Sequence, residues 1–172
     1  MRLLGFNDFH GQLSQGRTVG GRPVGGAAVL ASYLEDAAQG FKGRSLIIHA
    51  GDHVGASPPA SALLQDEPSI QFLNLLANGF CTYRNRDHQR CNVVGTLGNH
   101  EFDEGKEEML RLIYGGNSDL GPFLQTPYRG AKFGYVSANV VAEDTQEPLL
   151  PPYTIKNKAP AGGIPLGAAV VP

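Results

Sequence analysis

The sequence of 172 residues contains no tryptophan, only two cysteines and few charged side chains. Charged residues make up 17% of the chain, below the ~25% of an average soluble protein. The formal net charge is −2, and no block of like charges occurs, which argues against a nucleic-acid polymer as the partner. No apolar run approaches the ~18 residues of a membrane span. The sequence also opens directly on an apolar run, so we expect any leader to lie outside this chain.

What the sequence has in excess is glycine, with 23 residues in 172, about twice the usual share of ~7%. Short apolar runs predict strands, and stripes of period 3.6 between them predict helices. The predicted strands are residues 3–6, 45–50, 92–97, 135–140, 153–155 and 164–171, the first three of them buried. The predicted helices carry their apolar stripes over residues 27–34, 68–77 and 106–114, and a long loop is expected over 115–134. This alternation predicts an α/β fold with a largely parallel sheet.

Polar side chains with the chemistry of metal ligands follow each of the first three predicted strands. Asp8 and His10 come after the first, Asp52 after the second, and Asn99 with His100 after the third. The carboxyl ends of parallel strands meet at one edge of a sheet, where open α/β sheets bind ligands. If the segment after the first strand is extended, residues i and i+2 share a side, so Asp8 and His10 reach one ion.

Carboxylate, imidazole and amide groups together suit Zn²⁺, Mn²⁺, Fe or Co²⁺ better than Ca²⁺ or a structural thiolate site. A pair of such ions about 3.5–4 Å apart supplies a hydroxide nucleophile for displacement at phosphorus. The sequence therefore predicts phosphoester hydrolysis. His100 is placed to protonate the leaving oxygen, and Asp103 to orient that imidazole.

Other histidines and acids have less specific interpretations. His53 follows Asp52 and is predicted to support the site or to face solvent rather than to touch substrate. Glu101 is predicted to contact a ligand or to open a helix. His49 reads as a hydrogen-bonded histidine of the core, and His88 as part of a solvated loop. Cys81 and Cys91 enclose a polar segment, either closed by a disulfide in an exported protein or unpaired in a cytosolic one.

Three segments resemble the first three signature motifs of the calcineurin-like metallophosphoesterases: residues 7–11 (NDFHG), 51–52 (GD) and 98–103 (GNHEFD). Residues 25–28, 55–58, 66–68 and 151–155 are similar to the bacterial 5′-nucleotidase branch of that family. The resemblance implies a layered αββα sandwich, of which this chain covers about the first half. It implies two divalent metal ions, with Asp8 and His10 on one, Asp52 bridging and Asn99 on the other. It also implies that His100 and Asp103 form a catalytic dyad.

The resemblance further implies an enzyme of the periplasm or cell surface that releases phosphate from nucleoside monophosphates, with UDP-sugars or 2′,3′-cyclic nucleotides as related substrates. Export favours the disulfide over free thiols. The sequence departs from the family after His100, its last histidine, because relatives carry further histidine ligands. We therefore expect residues 1–172 to be the amino-terminal part of a catalytic domain, with its other half and a nucleotide-binding domain outside this chain. The alternatives are a thiosulfate-ester hydrolase on the same scaffold and a non-catalytic metal-binding module.

Overall fold

The computed structural model describes residues 1–15, 17–157 and 167–170. Its strands are β1 (Arg2–Phe6), β2 (Arg17–Val19), β3 (Arg22–Val24), β4 (Ser45–His49), β5 (Val93–Thr96), β6 (Gly134–Val136), β7 (Thr154–Asn157) and β8 (Gly167–Val170). Its helices are α1 (Ala27–Ala38), α2 (Pro59–Ala62), α3 (Glu67–Leu76) and α4 (Lys106–Tyr114), with a 3₁₀ turn at His100–Phe102. Of the described helices, none is long and apolar enough to cross a membrane.

A parallel sheet in the order β1-β4-β5-β6 forms the centre of the fold. Two antiparallel pairs, β2 with β3 and β7 with β8, lie outside it. The predicted α/β class and largely parallel sheet are confirmed. Because β1, β4 and β5 are neighbours, the carboxyl ends of the three motif-bearing strands meet at one edge of the sheet, the carboxyl edge. The opposite edge, where β5 and β6 begin, is called the amino edge.

Most predicted elements occur close to their expected bounds, with three corrections. Strand β1 is not buried as expected, because it lies at the side of the sheet and its residues alternate in exposure, with Leu3 56% exposed. The strand expected over 135–140 covers only Gly134–Val136. The strand expected over 164–171 is seen at Gly167–Val170, and the rest of that prediction lies outside the described residues. The β2–β3 hairpin and α2 were not predicted.

The core lies mainly on the sheet face that the helices cover. Ile47 and Val93 of the sheet pack there with Leu34 of α1, Leu73 of α3 and Met109 of α4. A smaller cluster occupies the other face and consists of Leu46, Val94 and Val136. Adjacent residues of one strand therefore serve opposite faces, as the pleat requires. The covered sheet gives the loops at both edges a rigid base.

Candidate metal centre

The loops after β1 and β4 continue to pair beyond the ends of the strands. The amide of Asp8 donates to the carbonyl of Gly51 (3.2 Å), and the amide of His10 donates to that of Asp52 (3.0 Å). Gly11 donates to the carbonyl of His53 at 3.1 Å. These bonds fix the first two motifs side by side.

The backbone at three predicted ligands is left-handed. The φ angles are 52° at Asp8, 47° at His10 and 52° at Asp52, a conformation that costs a non-glycine residue about 1–2 kcal/mol. The extended segment expected between Asp8 and His10 is therefore wrong. The two side chains nevertheless meet, with Asp8 Oδ1 3.7 Å from His10 Nε2, because successive turns rather than strand alternation bring them together. Strained backbone at several polar residues of one edge is typical of a functional site.

The donor atoms of His10, Asp52 and His100 lie within 4.8 Å of one another, close enough to hold one metal ion. All three side chains are partly buried. His10 Nδ1 is 2.9 Å from the carbonyl oxygen of Gly55. A carbonyl oxygen only accepts, so Nδ1 carries the hydrogen and Nε2 keeps its lone pair for a cation. Metal-binding histidines are commonly oriented in this way.

The structure thus groups the predicted ligands differently from the expectation. His10 and Asp52 come together with His100, which was expected to act on substrate. Asp8 lies beside His10 but is exposed and outside the group of three. Asn99 is exposed just before the 3₁₀ turn. Gly55 lies in the segment 55–58 that resembles the 5′-nucleotidase branch, but the contact of its carbonyl with His10 was not predicted.

His100 and Asp103 form the expected pair. His100 Nδ1 lies 2.8 Å from Asp103 Oδ2, and this hydrogen bond raises the pKa of His100. The amide of His100 donates to Asp52 Oδ1 at 2.9 Å. The third motif is therefore bonded directly to the second.

Glu101 joins the loops through its buried carboxylate. It accepts hydrogen bonds from the amides of Asp52 (2.9 Å), His53 (2.8 Å) and Gly98 (2.5 Å). Burial raises the pKa of Glu101, and the three amide donors oppose that shift. Two roles were predicted for Glu101, contact with a ligand or the start of a helix. The structure shows Glu101 at the site, where it contacts the backbone of the ligand loops rather than a ligand side chain.

Close approach explains two glycines of the motifs. A Cβ atom at Gly98 would lie 2.2 Å from Asp52 Oδ1, and one at Gly51 would lie 2.5 Å from the amide nitrogen of Gly98. Both distances are far below van der Waals contact. The second and third motifs therefore approach each other more closely than any side chain at these positions permits.

His53 and His49 lie beneath the site in a cluster of aromatic rings. His53 is fully buried, stacks on Phe9 with a centroid distance of 4.8 Å and donates from Nε2 to the carbonyl of Ser69 at 2.8 Å. Burial lowers its pKa to about 4. His53 therefore does not face solvent, which was one of the two roles predicted for it.

His49 is buried as expected, but the expectation that its ring is hydrogen-bonded is wrong, since neither ring nitrogen has a partner among the described residues. Burial lowers its pKa well below the usual value. At the amino edge, His88 is half-buried and stacks on Phe80, while most residues of its loop are exposed, as expected. Of the two alternatives left open for Cys81 and Cys91, the structure has the disulfide.

Comparison with known proteins gives one family and several relatives. The family model described as calcineurin-like phosphoesterase matches residues 1–143. Endonuclease YhcR of Bacillus subtilis is 39% identical over 165 residues, covering 91% of this chain and 12% of that protein. Cell wall protein Lmo0130 of Listeria monocytogenes is 38% identical over 168 residues, covering 89% of this chain and 20% of that protein.

A shorter match joins this chain to the 2′,3′-cyclic-nucleotide 2′-phosphodiesterase/3′-nucleotidase of Salmonella typhimurium. It is 41% identical over 64 residues, which is 37% of this chain and 8% of that enzyme. The chain therefore spans a fifth or less of the length of each of these three relatives.

Proposed function

The chain belongs to the calcineurin-like phosphoesterase family, and from that premise we propose that it forms part of a divalent-metal-dependent phosphoester hydrolase. The observation that carries the proposal is the convergence of His10, Asp52 and His100 at the carboxyl edge. The imidazole of His10 and the carboxylate of Asp52 are donors that suit Zn²⁺, Mn²⁺, Fe or Co²⁺, and His100 lies beside them. The tautomer that Gly55 imposes on His10 fits a cation at Nε2.

In this proposal Asp8, His10, Asp52 and Asn99 hold two divalent ions, as in the family motifs that they match. Bound ions supply the nucleophile and neutralise charge that develops on the phosphoryl oxygens. The remaining ligands come from outside the 172 residues, since His100 is the last histidine of the sequence. On this view the chain is the amino-terminal part of the catalytic domain.

His100 is proposed as the acid for the leaving oxygen rather than as a ligand. Asp103 engages Nδ1 at 2.8 Å, which orients the ring and leaves Nε2 as the nitrogen that can donate to a substrate. A carboxylate partner also favours the imidazolium form, which donates protons and cannot bind a cation. His100 thereby touches the reacting atoms, and Asp103 positions it.

The proposed substrates are nucleoside monophosphates, with UDP-sugars or 2′,3′-cyclic nucleotides as related substrates. The name of the Salmonella relative, a cyclic-nucleotide phosphodiesterase and 3′-nucleotidase, supports a nucleotide phosphoester. A second candidate substrate is the phosphodiester bond of a nucleic acid. The endonuclease name of the Bacillus relative favours it, whereas the low and unclustered charge of the sequence argues against it. The surface or exterior of the cell is the proposed location, supported by the Cys81–Cys91 disulfide and by the cell-wall relative.

The test measures phosphate release or strand cleavage by a protein containing this chain, with Mn²⁺ or Zn²⁺ and with chelator. The substrates are 5′-AMP, 3′-AMP, 2′,3′-cyclic AMP, a UDP-sugar, a thiosulfate ester and single-stranded DNA. Asp52→Asn should reduce the rate by about 10³-fold, equivalent to ~4 kcal/mol of transition-state stabilisation. Asp36→Asn, on the exposed face of α1, is the matched control and should retain the rate.

Each outcome distinguishes the alternatives. Metal-dependent turnover of a nucleotide that Asp52→Asn abolishes supports the hydrolase. Turnover of the thiosulfate ester alone would indicate a thiosulfate-ester hydrolase. Tight binding of metal without turnover of any ester would indicate a non-catalytic module.

A further inference from the structure

A second concave surface lies at the amino edge. It is a cavity of about 410 Å³ lined by Cys81, Thr82, Tyr83, Arg84, Arg129 and Lys132. Three of its lining residues are cationic, and of the described residues that line it none is acidic. In a chain whose net charge is −2, this is a local concentration of positive charge.

The chain topology separates this cavity from the metal centre. Residues 81–91 precede β5, and residues 129–132 precede β6, whereas the ligand loops follow β1, β4 and β5. Strands rise about 3.3 Å per residue, so the four residues of β5 alone put about 13 Å between the two edges. The cavity is therefore a different site from the metal centre.

Two of the three cations of the cavity are held in place by the fold. The guanidinium carbon of Arg129 lies 3.9 Å from the ring centroid of Tyr83, and Lys132 Nζ lies 5.6 Å from the same centroid. The amide of Lys132 donates to Asn74 Oδ1 at 2.6 Å. Cation–π contacts of this kind are worth about 0.5–1 kcal/mol at exposed sites and orient the charge as well.

Two further links make the base of the cavity rigid. The guanidinium of Arg86 donates to the carbonyls of Tyr114, Arg129 and Ala131. The disulfide closes the loop that carries Tyr83 and Arg84 onto the buried Cys91. Three positive charges thus line one cavity, and the segments that carry them are restrained from moving apart.

Like charges brought together repel each other unless an anion compensates them. Asp87, the acidic residue of the disulfide loop, lines a neighbouring cavity with His88 and Arg90 instead. The geometry points to an anion site, and we propose that this cavity binds phosphate groups. Guanidinium groups match the oxygens of a phosphate through paired hydrogen bonds, and a lysine adds a point charge.

The cavity is wide, so the phosphate could be free or part of a phosphodiester strand. One face of the Tyr83 ring is covered by Arg129, which disfavours stacking of a base on that face. Binding should therefore depend on phosphate charge and little on base identity. With three cations, the logarithm of affinity for a single strand should fall with the logarithm of salt concentration with a slope of about −2.

The experiment uses Asp52→Asn with chelator, so that neither bound metal nor hydrolysis contributes. Binding of inorganic phosphate and pyrophosphate is measured by calorimetry, and binding of labelled oligo-dT and oligo-dA by fluorescence anisotropy at several salt concentrations. In that background Arg84→Gln and Lys132→Gln should each weaken binding by about tenfold, the loss of one charged hydrogen bond. Arg84→Lys keeps the charge but loses the paired hydrogen bonds of the guanidinium, so it should weaken binding less than Arg84→Gln does.

Lys42→Gln and Arg22→Gln remove exposed cations elsewhere and are the controls, and thermal unfolding checks that each variant is folded. Displacement of the oligonucleotide by inorganic phosphate would show that the site holds single phosphate groups. Binding of the oligonucleotide alone, sensitive to Arg84→Gln, would show that it needs a strand. The proposal is overturned if neither probe binds at low salt, or if folded Arg84→Gln and Lys132→Gln bind as tightly as the controls.

Discussion

The two edges of the central sheet are both built from loops, but they are held together by different means. At the carboxyl edge, the loops after β1 and β4 pair through backbone hydrogen bonds, and the loops after β4 and β5 meet at the buried carboxylate of Glu101. At the amino edge, a disulfide and cation–π contacts hold one loop against the segment before β6. The first edge gathers acceptors for cations, and the second gathers cations.

Backbone strain follows the same division. Seven described non-glycine residues have positive φ, and four of them lie in the loops that directly follow β1 and β4: Asp8, His10, Asp52 and Ala56. Gln65 and Asp66 lie between α2 and α3, and Gln146 lies after β6. Residues 81–91 contain none of them. A hydrogen-bonded edge can hold ligands in unfavourable conformations because many amides share one buried acceptor. A cross-linked edge needs no such strain, since its geometry is fixed covalently.

The largest expected effect comes from removing the acceptor at the carboxyl edge. Glu101→Ala leaves the amides of Asp52, His53 and Gly98 without their partner, and unsatisfied buried amides cost about 1–3 kcal/mol each. We expect the free energy of unfolding, measured with urea and chelator, to fall by about 3–5 kcal/mol. Metal affinity should fall with it.

The control is Glu104→Ala, an exposed acid of the same segment, which should change stability by less than about 0.5 kcal/mol. Equal stability of the two variants would contradict the role given to Glu101. Loss of stability in Glu101→Ala with unchanged metal affinity would show that the carboxylate supports the fold but not the ligands.

The strands, and the convergence of the motifs that follow them, could be predicted from the sequence, because apolar periodicity and strand ends are local signals. Glu101 was predicted only to contact a ligand or to open a helix. Its bonds to amides 48 and 49 residues away are set by how the second and third loops meet, which no local pattern encodes. The left-handed turns at Asp8 and His10 were also missed. Asp and His are enriched among non-glycine residues with positive φ, but such residues are rare, so the enrichment is a weak local signal.

The grouping of His100 with His10 and Asp52 depends on the same meeting of loops. Proximity of the strand ends was predictable, but which side chains face one another was not. The cations at the amino edge come from residues 84, 129 and 132, and only the register of β5 with β6 brings them together. The polar cluster at the carboxyl edge, where strands end, could therefore be predicted from the sequence. The cation cluster at the amino edge, where strands begin, could not.

The second prediction removes the cross-link of the amino edge. Cys81→Ala with Cys91→Ala opens a loop of sequence separation 10, which should cost about 3 kcal/mol of unfolding free energy in the chain-entropy model. Metal affinity at the carboxyl edge should stay within a few-fold, while phosphate binding at the amino edge weakens. Calorimetry with Mn²⁺ and with phosphate on the same variant separates the two. A parallel loss of both affinities would mean that the edges are not independent.

The third prediction concerns His49, which ends β4 just beneath the carboxyl edge. Its folded pKa is lowered by burial, so the unfolded chain takes up a proton below pH 6.5 that the folded chain refuses. The contribution of neutral His49 to the free energy of unfolding is therefore fully present above pH 6.5 and is lost as the pH falls below that value. Between pH 7 and 5 the wild type should lose about 2 kcal/mol more than His49→Phe. Urea unfolding with chelator at both pH values measures the difference.

His53 titrates in the same direction, with a pKa of about 4, and it is present in both proteins, so the comparison isolates His49. At pH 7, His49→Phe should itself be more stable by about 1 kcal/mol, because it removes two unpartnered nitrogens from the core. Equal pH dependence in the two proteins would show that His49 is not buried in its neutral form.

The smallest expected effect tests whether strain at the carboxyl edge extends beyond the predicted ligand residues. Ala56 is exposed with a φ of 48°, a conformation that costs alanine about 1–2 kcal/mol and glycine almost nothing. Glycine loses about 0.5–1 kcal/mol more backbone entropy on folding. Ala56→Gly should therefore raise the free energy of unfolding by about 0.5–1 kcal/mol. Ala31→Gly, in the middle of α1, should lower it by about 1 kcal/mol. If both substitutions destabilise the protein equally, the turn at Ala56 stores no strain, and the contrast between the edges does not extend beyond the ligand residues.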